Sequence, residues 1–163
     1  MNYYQQFIKD YSKTMTPLFE ITKKGKEFHW ETEQEKAFQQ AKEKITTAPV
    51  LVQFNPEKET TIKTDTLDYT IGMRMTQQGT DGKPQVVAFH SQKLVPAEVN
   101  YDIHDKELLA IMVAFKVWRV YLEEAQHTVL VKTDHKNLTF FTTTKELTRR
   151  QARWAEVLSQ YDF

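Results

Sequence analysis

From roughly Asp102 to Tyr121 the chain is apolar almost all the way round a helical projection. A helix of that kind implies burial between layers rather than a place on the surface. The face running through Glu107-Leu108-Leu109-Ala110 carries one carboxylate, and the small Ala110 and Ala114 that follow let a sheet approach closely. The neighbouring segments supply that sheet. Thr60 to Asp65 reads as a short β-branched strand, and Tyr69 to Met75 alternates, with Tyr69, Ile71, Met73 and Met75 on one face. Gln78-Gly79-Thr80-Asp81-Gly82-Lys83 is a turn before a third strand over Gln85 to His90. His127 to Asp134 is the fourth, Val129 and Val131 alternating with Leu130 and Lys132. A helical crossover between strands three and four favours a parallel pairing, so this part is α/β with a mixed sheet.

The first third is helical. Phe7, Ile8, Tyr11 and Met15 fall at helical spacing, with Pro17, Leu18, Phe19 and Ile21 after them. Thr32 and Glu35 form a capping box for a helix carrying Ala37, Phe38, Ala41 and Ile45, which Ala48-Pro49 ends. The last helix runs from Lys145 to Tyr161, with Leu147, Trp154, Leu158 and Tyr161 along one stripe. The chain reads as two parts, residues 1–54 as a helical lobe and residues 55–163 as the α/β domain.

Composition removes several classes. The absence of cysteine excludes thiol nucleophiles, disulfide scaffolds and cysteine-ligated zinc. No apolar run is long enough to span a bilayer, and Met1-Asn2-Tyr3-Tyr4 does not begin a signal peptide, so a soluble intracellular chain is expected. Basic and acidic residues balance at 22 each. Any nucleic-acid role therefore rests on a local patch or on partner domains.

Three acids stand where α/β folds gather chemistry: Asp65 at the end of strand one, Glu107 in the first turn of the long helix, Asp134 at the end of strand four. Singly, each has an ordinary reading as a turn former or a helix-dipole partner. Converging on one rim, they would repel one another without a cation between them, and Mg2+ suits oxygen ligands of this kind.

With these residues in place the chain resembles the reverse transcriptase–ribonuclease H region of gypsy-type LTR retrotransposon polyproteins. The blocks include Tyr4-Gln5-Gln6-Phe7-Ile8-Lys9-Asp10-Tyr11 with Pro17-Leu18, Trp30, Ala37-Phe38 and Ala48-Pro49-Val50-Leu51. They continue with Thr64-Asp65, Ala88-Phe89, Lys106-Glu107-Leu108-Leu109-Ala110, Thr133-Asp134-His135-Lys136-Asn137-Leu138 and Arg149-Arg150-Gln151-Ala152-Arg153-Trp154. The resemblance implies that residues 1–54 are the end of a reverse transcriptase thumb and its linker. It implies an RNase H-like mixed sheet in order 3-2-1-4, strands one and four parallel, with the long helix across one face. Asp65, Glu107 and Asp134 then become metal-binding catalytic carboxylates meeting at one point. Two Mg2+ ions (Mn2+ as a substitute), roughly 4 Å apart, would serve hydrolysis of the RNA strand of an RNA/DNA hybrid. The ribose 2′-hydroxyl would distinguish RNA from DNA. Polymerase and integrase regions of the same polyprotein are the implied partners, and a cytoplasmic virus-like particle the implied location.

Three departures from the family pattern bear on activity. Its fourth aspartate lies in a segment after a further strand, and this sequence stops at Asp162-Phe163. The expectation is therefore a domain lacking its fifth strand and last helix, with an incomplete metal site and weak or absent activity. Thr66-Leu67 stands where the family has Ala-Ser, which would place an exposed apolar side chain beside Asp65. Met73-Arg74 replaces a small apolar pair, and Arg74 needs a partner or solvent.

Arg149, Arg150 and Arg153, with Lys145 nearby, make a basic face that is either a phosphate contact or a solvated surface. His104 and Lys136 have ordinary surface readings beside a nucleic-acid one. Trp118 and Trp154 are packing residues. His135 is not assigned as a general base, because metal-bound water needs none. The rival to an enzyme is a non-catalytic RNase H-like tether or a host-adopted binding module.

Overall fold

The computed structural model describes residues 2–123, 125–134 and 147–163, with side chains from residue 5 onward. A 3₁₀ turn, Asn2–Phe7, leads into α1 (Tyr11–Ile21) and α2 (Thr32–Thr46). Ile8, Tyr11, Met15, Leu18, Ala37 and Ala41 form the small core of this lobe. The cap of α2 lies one residue earlier than the sequence suggests. Glu31 is the capping residue, its N–H donating to Gln34 Oε1 at 3.2 Å. Glu35 instead accepts from Trp30 Nε1 at 2.9 Å and Gln39 Nε2 at 2.6 Å.

The larger part holds β1 (Thr60–Leu67), β2 (Thr70–Gln78), β3 (Pro84–Lys93), a short α3 (Pro96–Val99) and α4 (Ile103–Val117). After these come α5 (Arg119–Leu122), β4 (Leu130–Lys132) and α6 (Arg149–Leu158). The sheet order is β3-β2-β1-β4, antiparallel except for β1 against β4, as expected from the crossover.

Alternation assigns the faces. Ile62 and Thr64 of β1 lie opposite Met75 and Met73 of β2, and all four are buried. α4 covers this face, with Leu108, Ala110, Ile111, Ala114 and Phe115 in one core. Ala110 and Ala114 are 0 % exposed, which is the close approach that small side chains permit. Lys63, Asp65, Gly72 and Arg74 belong to the opposite face.

Several boundaries differ from expectation. Tyr69 lies in the β1–β2 turn and is exposed, because β2 begins only at Thr70. β1 continues two residues past Asp65, and Leu67 is half-buried rather than exposed. The long helix breaks at Trp118, whose buried ring is drawn into the core while its backbone leaves helical geometry. β4 is shorter than expected, three residues from Leu130 to Lys132, and just before it Val129 donates its N–H to Asp162 O at 2.9 Å. Leu158 is buried and Trp154 and Tyr161 pack on the main core, as the α6 stripe requires.

The helical lobe docks on the face away from α4. Ser12 donates its N–H to Ser91 Oγ at 2.9 Å and its hydroxyl to Ser91 O at 2.8 Å, and Gln5 Nε2 donates to the same carbonyl. Glu20 pairs with Lys93 at 2.9 Å. Val52 and Phe54, counted with the lobe in the sequence reading, pack on the sheet core instead, and Val52 N–H reaches Val86 O at 2.9 Å.

Candidate functional site

Asp65 lies inside β1 opposite Gly72. Asp134 follows two residues after β4, which pairs in parallel with β1. Their side chains line one cavity of about 130 Å³, together with Lys9, Asp10, Lys63 and Arg74. Gly72 opens room for it: a Cβ there would stand 3.1 Å from Asp10 Oδ1. Lys63, two residues before Asp65 on the same face, brings its Nζ to 3.5 Å from Asp134 Oδ1. Arg74 is exposed, so solvent meets its charge.

Glu107 is elsewhere. It is 4 % exposed, it is absent from the cavity wall, and its Oε2 accepts from the Thr133 hydroxyl at 2.6 Å. Thr133 and Asp134 are consecutive and serve different partners, Glu107 for the first and Lys63 for the second. Two of the expected three carboxylates thus line one cavity, and the third lies outside its wall, bonded to the Thr133 hydroxyl. Among the described residues no three His, Asp or Glu side chains are placed to hold a metal ion. As arranged, the oxygens of Asp65 and Asp134 suit a hard cation, but Lys63 already faces one of them. The set does not fit a two-metal centre.

The basic face of α6 divides. Arg149 and Arg153, one turn apart, are exposed. Arg150 turns inward to Asp105, a carboxylate 2 % exposed in the first turn of α4, and donates to its Oδ2 through Nη2. Gln151 Nε2 donates to the other oxygen at 2.8 Å. The guanidinium also stacks 3.7 Å above the Tyr101 ring. Burial works against the Arg150 charge, yet the Asp105 carboxylate and Tyr101 beside it hold its pKa above the ordinary value. Arg150 is therefore a clamp between α4 and α6, not a free phosphate contact. His104 is exposed on α4; Lys136, with His135 and Lys145, lies outside the described residues.

Sequence reasoning missed Lys63, Asp10 and Asp105. Lys63 had a usable signal, since positions two apart on a strand share a face. Asp10 and Asp105 had none, because their partners lie far along the chain.

Comparison with known proteins agrees with this architecture. The chain is 33 % identical over 165 residues to the Tf2-3 transposon polyprotein of Schizosaccharomyces pombe, and equally to the Tf2-4 polyprotein. All of the chain is covered, but it spans only 12 % of those relatives. The fold matches a foamy viral protease-reverse transcriptase in complex with RNA/DNA hybrid, with a TM-score of 0.72 and 18 % identity. That match covers 96 % of this chain and 22 % of the other. A foamy viral protease-reverse transcriptase dRH in complex with double-stranded DNA gives 0.76 at 18 % identity, covering 97 % of this chain and 28 % of the other. Residues 55–161 match the RNase H-like domain found in reverse transcriptase. With that match over most of its length, the chain belongs to the family of RNase H-like domains of reverse transcriptases.

Proposed function

We propose that this chain serves the ribonuclease H step of a retroelement reverse transcriptase, the metal-dependent hydrolysis of the RNA strand of an RNA/DNA hybrid. The observation that carries the reading is that Asp65 in β1 and Asp134 just past the parallel β4 line one cavity of a domain of this family. Arg149 and Arg153 offer exposed cations for the hybrid backbone, and the foamy viral relative in complex with such a hybrid supports that substrate. With Glu107 bonded to Thr133 and Lys63 facing Asp134, the chain by itself holds a divalent ion weakly and cleaves poorly or not at all.

The same two contacts favour a second reading, a non-catalytic RNase H-like tether between other parts of the polyprotein. A labelled-hybrid assay with Mn2+ separates the readings. It compares this chain with a longer piece of its polyprotein that carries the family's fourth aspartate. Cleavage by the longer piece, abolished by Asp65→Asn, supports the nuclease. Failure of both pieces, with both folded by circular dichroism, gives the tether reading the lead.

A further inference from the structure

We infer that Lys63 is the resident counter-ion of the Asp65–Asp134 cavity and sets how readily a divalent cation enters it. The inference rests on the functional reading above, because it concerns the cation that these two carboxylates would attract.

The strand register carries the argument. In the parallel pair Lys63 stands beside Lys132, and in the antiparallel pair it stands beside Arg74. Three cations thus lie in a row across three neighbouring strands. Like charges directly opposite one another destabilise a sheet, so the row needs anions nearby. Asp65 and Asp134 supply them, with Asp10 on the same cavity wall. The Lys63 ammonium takes the Asp134 side at 3.5 Å, with about half of the lysine side chain in contact with solvent (43 % exposed). An ammonium in that place does for the carboxylates part of what a metal ion would do, and an entering ion must displace or repel it.

The size of the effect follows from Coulomb's law. Removing one unit charge about 6 Å from a divalent ion, in a water-like medium, is worth roughly tenfold in affinity. The high dielectric is the right choice because Lys63 is partly solvated.

The test measures Mn2+ binding to the full chain at low ionic strength, by electron paramagnetic resonance of the free ion. Lys63→Met and Lys63→Gln should each bind Mn2+ about tenfold more tightly than the unaltered chain. Lys63→Arg should stay near the starting affinity, and adding Asp65→Asn to Lys63→Met should reverse the gain. Two different neutral replacements guard against one of them failing to fold. Unchanged affinity in both, or an equal gain in Lys63→Arg, overturns the inference. Asp65→Asn alone then reports on the underlying reading. If it weakens Mn2+ binding in the unaltered chain, the metal site survives the loss of the Lys63 inference. If it has no effect in either background, both fall together.

Discussion

Replacing Arg150 with Met should destabilise the domain while leaving its affinity for nucleic acid almost untouched. The change removes the charged donor to a carboxylate that is almost fully buried, and leaves it, among the described residues, with Gln151 as its side-chain donor. A hydrogen bond to a charged group contributes about 1.5–3 kcal/mol. The stack on Tyr101 adds about 0.5–1 kcal/mol. Arg150 keeps more than a third of its side chain in solvent, which screens the pair and argues for the lower end of each range. The expected loss is about 2–3 kcal/mol, or roughly 5–10 °C in melting temperature for a chain of this size. Urea unfolding of Arg150→Met, Asp105→Leu and the double variant isolates the pair. A coupling energy of about 1–2 kcal/mol is expected. Coupling below about 0.3 kcal/mol would refute the clamp and return Arg150 to the exposed basic face.

Two further outcomes follow. Arg149→Gln with Arg153→Gln should lower the salt dependence of hybrid binding by about one unit of slope per lost phosphate contact, measured by fluorescence anisotropy, whereas Arg150→Gln should leave the slope alone. Glu20, bound by Lys23 and Lys93, has its pKa lowered to about 2. Its folded-state pKa lies below the unfolded value, so its contribution is fully present above about pH 4.5 and is lost as the pH falls toward 2. The protection of the Ser12 amide against hydrogen exchange, relative to its intrinsic rate at each pH, should fall across that window in the unaltered chain, and much less in Glu20→Gln.

The parts of this fold legible in the sequence were those governed by local period. Ile71, Met73 and Met75 declared one sheet face, which is buried, though Tyr69, read onto the same face, lies exposed in the turn before it; Ala110 with Ala114 declared a close helix–sheet contact. What stayed hidden depended on partners far along the chain. An arginine at the start of a helix reads the same whether it faces water or a buried aspartate 45 residues away, so Arg150 could not be told from Arg149. The bond from Val129 to the carbonyl of Asp162, 33 residues on, was illegible for the same reason. At the candidate site, the residue types and their elements were readable. Which carboxylates share a cavity was not, because that depends on whether Thr133 or Asp134 turns toward α4.

The docking of the helical lobe on the sheet has a mechanical consequence. Ser12 grips Ser91 and Glu20 grips Lys93, so the lobe is tied to β3 at two places besides the peptide link between α2 and β1, and Asp10 sits over Gly72 of β2. The two parts behave as one lever rather than as beads on a string. A torque applied to α1 arrives at the sheet directly, and through Gly72 it reaches the strand partner Asp65, without passing along the connecting chain.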